Sequence, residues 1–337
     1  MPTAFSPTVA ATDRPTLGRR SLLAGLAALP VVFAGCGREA AGPQAASGSA
    51  PAGFRYTDAR GKVIDLASTP TVVVAQSSAA AALWDAGYQV EGAYGELKTT
   101  GGKLDFQAGN LDLGRLSVIG STYGEFDVEK YAALGPQLLI DLSFDDKTLW
   151  YVDTKVEAKI TALAPTLGMH MLGRGLVEVI EAFTALAQQL GASPDASTAA
   201  KTAFETESAG LKTALAAFAG KTVMPVSRDA TKVYVGNPDQ NPDLSYLKSL
   251  GVTFVPYQGK ATDYFQEISY EELSSYSGDV IIDDVRGRSV NQAADDQPTW
   301  KAMPAVTAGK VFDWKPAAPY SYAAYVEILK GLRPAFD

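Results

Sequence analysis

The sequence predicts an α/β protein made of two α/β lobes with mainly parallel sheets, joined by one long rigid helix. Three observations predict it. First, Leu176, Val179, Ile180, Phe183, Leu186, Ala187 and Leu190 recur at three- and four-residue steps and so share one helix face, with Glu178, Glu181, Gln188 and Gln189 on the others. A helix of that length is a rod of roughly 22 Å. Second, uniformly apolar runs alternate with helical segments on both sides of this rod, as in parallel sheets covered on both faces. Third, the halves share a unit. Val128-Glu129-Lys130-Tyr131 leads through Leu134-Gly135-Pro136 to Leu138-Leu139-Ile140-Asp141, and Tyr270-Glu271-Glu272-Leu273 leads through Tyr276-Ser277-Gly278 to Val280-Ile281-Ile282-Asp283. In each, the glutamate precedes the aspartate by twelve residues.

The first stretch of the chain is not fold. Arg14, Arg19 and Arg20 precede an uncharged apolar run from Leu22 to Ala34, too short for a membrane span and suited to a signal peptide over residues 1–35. Phe33-Ala34-Gly35-Cys36 resembles a bacterial lipobox, and Arg19-Arg20 resembles a twin-arginine signal, so Sec and Tat export both stay open. Cys36 is the only cysteine, which excludes an internal disulfide and a multi-thiolate metal site. The lipobox resemblance implies cleavage before Cys36 and its acylation. One acyl chain anchors marginally and two or more anchor stably, at about 0.8 kcal/mol per buried methylene. Residues 36–53, rich in Ala, Gly, Ser and Pro, read as lipid anchor and flexible linker. The expected location is extracytoplasmic, held to the cell membrane by the lipid on Cys36.

The body then divides into an N-terminal lobe over 54–173, the connecting helix over 174–192, and a C-terminal lobe over 193–337. Phe54 to Leu66 reads as a hairpin turning at Asp58-Ala59-Arg60-Gly61. Thr71 to Ala75 is a strand, and Ser77 caps a helix that Gly87 ends. Val90 to Tyr94 is a strand, Thr99 to Gly114 a loop, and Asp153 to Leu163 a helix. Beyond the rod, Ala199 to Phe218 is an amphipathic helix. Val223 to Val226, Val233 to Val235 and Val252 to Val255 are strands, and Leu244 to Leu250 is a helix stopped by Gly251. Trp300 to Phe312 is a compact turn into an edge strand, and Tyr322 to Leu332 closes the chain as a helix.

Charge and composition remove several functions. The chain has 29 basic and 37 acidic residues; three basic residues and one acidic precede Cys36, so the mature chain carries 26 against 36, a balance of −10. That argues against nucleic acid as a partner. A transition-metal site needs several converging imidazole or carboxylate ligands, and there is one histidine, His170, which reads as a satisfied, partly buried residue in the apolar run Met169-His170-Met171. No nucleophile elbow and no Gly-rich phosphate loop is present. The expectation is therefore a binding protein, not an enzyme, with no cofactor of its own.

Open parallel sheets bind ligands outside the carboxyl ends of their strands. Two lobes facing each other would bring both sets of ends around one cleft. That rule selects Tyr123, Phe144, Trp150 and Tyr151 in the first half, and Arg228, Tyr264, Arg286, Trp314, Tyr320 and Tyr322 in the second. Arginine offers a fork of fixed donors to oxygen-rich ligands, and aromatic faces pack on their apolar bodies.

Phe126-Asp127-Val128-Glu129 with Leu138-Leu139-Ile140, Ile268-Ser269-Tyr270-Glu271 with Asp279-Val280-Ile281, and Trp300-Lys301-Ala302-Met303-Pro304-Ala305-Val306 with Gly309-Lys310-Val311 resemble the class III solute-binding proteins of ABC importers, the ferric-siderophore and vitamin B12 family. The resemblance covers essentially all of Phe54 to Asp337. It implies the class III periplasmic-binding-protein fold with little lobe motion, and a monomer working with an ABC permease and ATPase complex. It also implies that Glu129 and Glu271, one per lobe, dock onto permease arginines. Hydroxamate-binding members hold their ligand with an arginine whose position here falls near Tyr123, an aromatic near Phe144, and a second-lobe tryptophan near Tyr264. With no arginine at the first of these, Arg228 or Arg286 would supply the charge from the other lobe. Iron is expected only inside the bound siderophore, whose own oxygens fill its coordination sphere. Three readings remain: a ferric-siderophore receptor of hydroxamate type, a haem or cobalamin receptor of the same family, and a non-transport surface lipoprotein or enzyme on this fold.

Overall fold

The β-branched and aromatic runs between turn residues become strands in the computed structural model, which describes residues 53–99, 101–288 and 292–336. The signal segment, Cys36 and nearly all of the linker lie outside the described residues. β1(Phe54–Thr57) and β2(Val63–Leu66) pair antiparallel as the expected hairpin. The first lobe follows as β3(Val73–Gln76), α1(Ser77–Asp85), β4(Gly92–Tyr94), β5(Ser117–Val118), α2(Val128–Ala133), β6(Leu138–Ser143), α3(Thr154–Leu163) and β7(Thr166–His170). α4(Leu176–Gln189) and α5(Thr198–Ala214) lead into the second lobe. It comprises β8(Val223–Arg228), β9(Lys232–Gly236), α6(Pro242–Leu250), β10(Phe265–Ser269), β11(Val280–Asp284), the one-turn helices α7(Val285–Arg288), α8(Gln292–Asp295), α9(Pro298–Lys301) and α10(Pro304–Thr307), then β12(Val311–Trp314) and α11(Tyr322–Leu332).

Each lobe is built on one five-stranded sheet, ordered β5-β4-β3-β6-β7 in the first and β10-β9-β8-β11-β12 in the second. The first is parallel throughout. In the second, β8, β11 and β12 are parallel, while β9 and β10 are antiparallel additions. The repeated unit is α2 then β6 in the first lobe but only a 3₁₀ turn at Glu272–Ser275 then β11 in the second; both end on the fourth strand of their order, so the internal repeat is also a repeat of sheet position.

Three details differ from expectation. The cap of α1 is Gln76 rather than Ser77: its side-chain oxygen accepts from the backbone N–H of Ser78 and of Ala79. Val252 to Val255 makes only the isolated bridge Val223↔Phe254, because Pro256 has no N–H with which to extend a ladder. β10, with sequence FQEIS, has mixed polarity, being an antiparallel edge strand that buries only Ile268 fully. A search for uniformly apolar runs passes over such a strand.

α4 buries Leu176, Val179, Ile180, Phe183, Leu186 and Ala187, and Gly191 follows at φ 110°, where glycine has no Cβ penalty. The helix packs on α1 of the first lobe and on α6 of the second, within one apolar cluster. Polar bonds also cross between lobes. Ser78 donates to the Ala317 carbonyl, Ser321 Oγ to Asp85 Oδ2 at 2.6 Å, and the Gly173 N–H to the Gln240 carbonyl at 3.2 Å. The described residues belong to one compact unit. Among them no helix is long and apolar enough to cross a membrane.

Candidate binding cleft

Strand alternation decides which side chains of the second sheet can meet a ligand. Met224, Val226 and Arg228 share one face of β8, with Ile281 and Asp283 on the same face of β11. Asp284 and Trp314 are neighbours on the opposite face, which joins the cluster containing α4. Arg286 follows Asp284 and is held by it: Nε lies 3.1 and 3.0 Å from the two carboxylate oxygens and Nη2 lies 2.7 Å from Oδ2. Burial alone would lower the pKa of this guanidinium, but Asp284 more than offsets that and raises it.

A row of edge-to-face aromatic contacts runs from one lobe to the other. Tyr123 meets Tyr151 at 5.5 Å between ring centroids, Tyr151 meets Trp150 at 4.7 Å, and Trp150 meets Phe144 at 5.1 Å. Phe144 then crosses to Tyr264 at 5.2 Å, which touches Phe265 at 5.0 Å, and Phe265 reaches Trp314 at 5.9 Å. The guanidinium of Arg286 sits 5.8 Å over the Trp150 ring, a second contact between lobes. The structure thus brings Tyr123, Phe144, Trp150, Tyr151, Tyr264, Arg286 and Trp314 together.

The other predicted residues are placed differently. Arg228 is buried on the far face, bound to Asp283 at 2.6 and 3.1 Å and to Asp295 at 2.8 Å. Tyr320 stacks on Phe183 of α4, and its hydroxyl is buried with no hydrogen-bond partner among the described residues. Tyr322 donates to Glu181 at 3.2 Å and lies under the Lys201 ammonium, tying α11 to α4 and α5. His170 is partly buried, with Nδ1 2.9 Å from Asp146 Oδ1 and Nε2 2.9 Å from the Leu172 carbonyl. Among the described residues no group of three or more His, Cys, Asp or Glu side chains could hold a metal ion.

Sequence reasoning missed the carboxylates. Glu96, two residues past the end of β4, accepts from the Tyr151 hydroxyl at 2.8 Å; burial pushes its carboxyl above the usual range against that hydrogen bond. Asp105 is raised by burial as well, with the Gln107 N–H and Arg286 opposing. Asp243 takes the Trp314 indole N–H at 2.5 Å, and burial pushes it up to about 6. The strand-end rule that found Phe144 also reaches Glu96, had it been applied to acids and not only to rings and arginines.

Asp141 supports the row from below. Fully buried at β6, it accepts from the Tyr94 hydroxyl at 2.9 Å and from the Tyr151 N–H at 3.0 Å. Burial raises its pKa to about 7. A carboxyl raised in the folded state keeps a proton there that the unfolded chain has already lost, so its contribution to stability is greatest at low pH and declines as pH climbs from about 4 to about 7. The slope is on the order of 1 kcal/mol per pH unit. Urea denaturation between those limits should show it in the wild type relative to Asp141→Asn; parallel stability curves for the two proteins would remove the titration from Asp141.

Two lobes on a helical strut, with a row of aromatic contacts crossing from one to the other, define a two-lobed α/β protein. Residues 69–318 match the family described as periplasmic binding protein, and the chain belongs to that family. Among solved structures it is similar to DesE, a ferric-siderophore receptor protein from Streptomyces coelicolor, at 36% identity over 84% of this chain and 97% of that one, with a TM-score of 0.77. It shares the fold of FhuD2 from Staphylococcus aureus, solved with bound ferrioxamine B, at 20% identity, 79% and 98% coverage and a TM-score of 0.56. The siderophore periplasmic binding protein from the fuscachelin gene cluster of Thermobifida fusca is alike at 21%, 79%, 96% and 0.56. No curated protein matches the chain in sequence.

Proposed function

We propose that this protein is a lipid-anchored extracytoplasmic receptor that captures a ferric siderophore of hydroxamate type and delivers it to an ABC permease. The observation that carries the reading is the aromatic row that passes from Tyr123 through Phe144 to Tyr264 with Arg286 over Trp150. A ferric siderophore presents oxygens around a saturated metal and an apolar periphery. Rings supply walls for the periphery, and Arg286 supplies donors for the oxygens. The 36% identity to a ferric-siderophore receptor supports the same ligand class. Glu129 and Glu271 dock the loaded receptor on the permease, and a lipid on Cys36 keeps it at the membrane. The receptor acts as a monomer and holds no cofactor apart from the iron its ligand brings.

Trp150 sits inside the row, so ligand entry should change its emission. Titration with ferrioxamine B or ferrichrome is expected to quench tryptophan fluorescence saturably. Silence towards both, together with tight binding of haem or cobalamin, would move the ligand to another class of the family. Silence towards all four would remove the transport reading.

A further inference from the structure

We propose that the cleft selects ferric complexes by charge, favouring a cationic complex over an anionic one of the same shape, with Glu96 and Asp105 setting the preference. This rests on the siderophore reading above. The guanidinium that faces the row, Arg286, is already matched by Asp284 through a two-pronged contact, and Asp284 is itself buried. Asp284 thus offsets the Arg286 charge at close range, while the guanidinium N–H groups remain oriented by that contact.

Opposite it stand acids without matching cations. Glu96 is bound by a neutral tyrosine hydroxyl, and Asp105 caps a helical turn at Phe106–Ala108 through the Gln107 N–H. Among the described residues neither has an ion-pair partner within 4.0 Å. Glu96 holds the hydroxyl of Tyr151, the second ring of the row, and Asp105 lies on the same loop, its N–H donating to the carbonyl of Leu97 next to Glu96 at 3.1 Å. Asp243 adds a further carboxylate behind Trp314. Lys98 and Lys103 flank this loop but are exposed, where water and salt screen them. A complex that fills the cleft expels that water, so the surplus negative charge acts on it through a lower dielectric.

The test keeps the iron core fixed and varies one pendant group. Ferrioxamine B carries a free amine and is cationic; its N-acetyl derivative is neutral and its N-succinyl derivative anionic. Fluorescence titration of the whole protein at low salt should give Kd values rising in that order, at least about tenfold from first to last, with the gap narrowing as salt is added. Glu96→Gln with Asp105→Asn should flatten the series. Equal affinities, or tighter binding of the succinyl complex, would overturn the charge preference and leave the siderophore reading standing. Failure of all three to bind would take down that reading and this inference with it. The wild-type series decides the matter even if the double variant does not fold.

Discussion

Replacing Glu129 and Glu271 together by lysine is expected to abolish importer-dependent uptake, with ligand affinity held within about twofold. Both carboxylates are exposed, and among the described residues neither enters an ion pair. Each sits at a corresponding place. Glu129 lies in the first turn of α2, whose start is tied to the carboxyl end of β5 by the Asp127 N–H to the Ile119 carbonyl at 2.9 Å. Glu271 adjoins Tyr270, whose hydroxyl donates to the Asp229 carbonyl at 2.7 Å, just past the carboxyl end of β8. The two therefore stand on the strand-end rims of the two sheets, one on each lobe, as the proposed docking requires. Truncating one side of a desolvated interfacial charge pair costs about 2–5 kcal/mol, so losing two and adding repulsion removes at least about a hundredfold in docking. Transport of labelled ferric siderophore reads the loss, and titration of the purified variant reads the affinity. Collapse of affinity alongside uptake would assign these glutamates to the cleft or to the fold.

The elements legible in the sequence are those where one physical signal dominates. The α4 rod, the closing helix and the two helix–strand repeats all have an apolar period that agrees with their burial. The edge strand β10 was hidden because an antiparallel edge need not be apolar throughout. The cleft was half legible. Position after a strand end picked out Phe144, Trp150 and Arg286 as neighbours in space, but it cannot say which face a side chain takes. For Arg228 that information was present in the alternation Met224, Val226, Arg228, which groups it with the packed face. For Tyr322 it was present in the helical step to Tyr325, Val326 and Leu329, all buried. Nothing in the sequence showed that Asp284 would claim the charge of Arg286.

The cross-lobe contact between Phe144 and Tyr264 bears on how the cleft is used. A rigid hexadentate iron complex cannot lie between rings whose centroids are 5.2 Å apart. On the proposed function, capture requires those rings to part, by rotamer change or by a small separation of the lobes, with α4 holding the rest in place. The contact is edge-to-face and worth about 0.5–1.5 kcal/mol, a small charge on ligand affinity.

Arg228→Met should destabilise the fold by about 3–5 kcal/mol while leaving siderophore affinity of the folded protein unchanged. The Arg228 and Asp283 side chains are 3% and 1% exposed. The guanidinium carbon lies 3.6 Å from the centre of the Trp300 ring and Nη1 donates to the Ala294 carbonyl at 3.0 Å. Removing Arg228 takes from Asp283 its two-point contact inside an apolar cluster, and the buried charge left without that contact, more than the lost attraction, sets the cost. Total stability of a domain is about 5–15 kcal/mol, so at least about a fifth of it is at stake. Adding Asp283→Leu removes the stranded charge and should recover most of the loss; Asp295, half exposed, needs no partner once water can reach it. Urea midpoints of the single and double variants measure the two effects. If Arg228→Met instead weakens ligand binding strongly with its midpoint unmoved, the arginine leaves its pair to reach the ligand, and the cleft extends through the sheet to the face that holds Trp300.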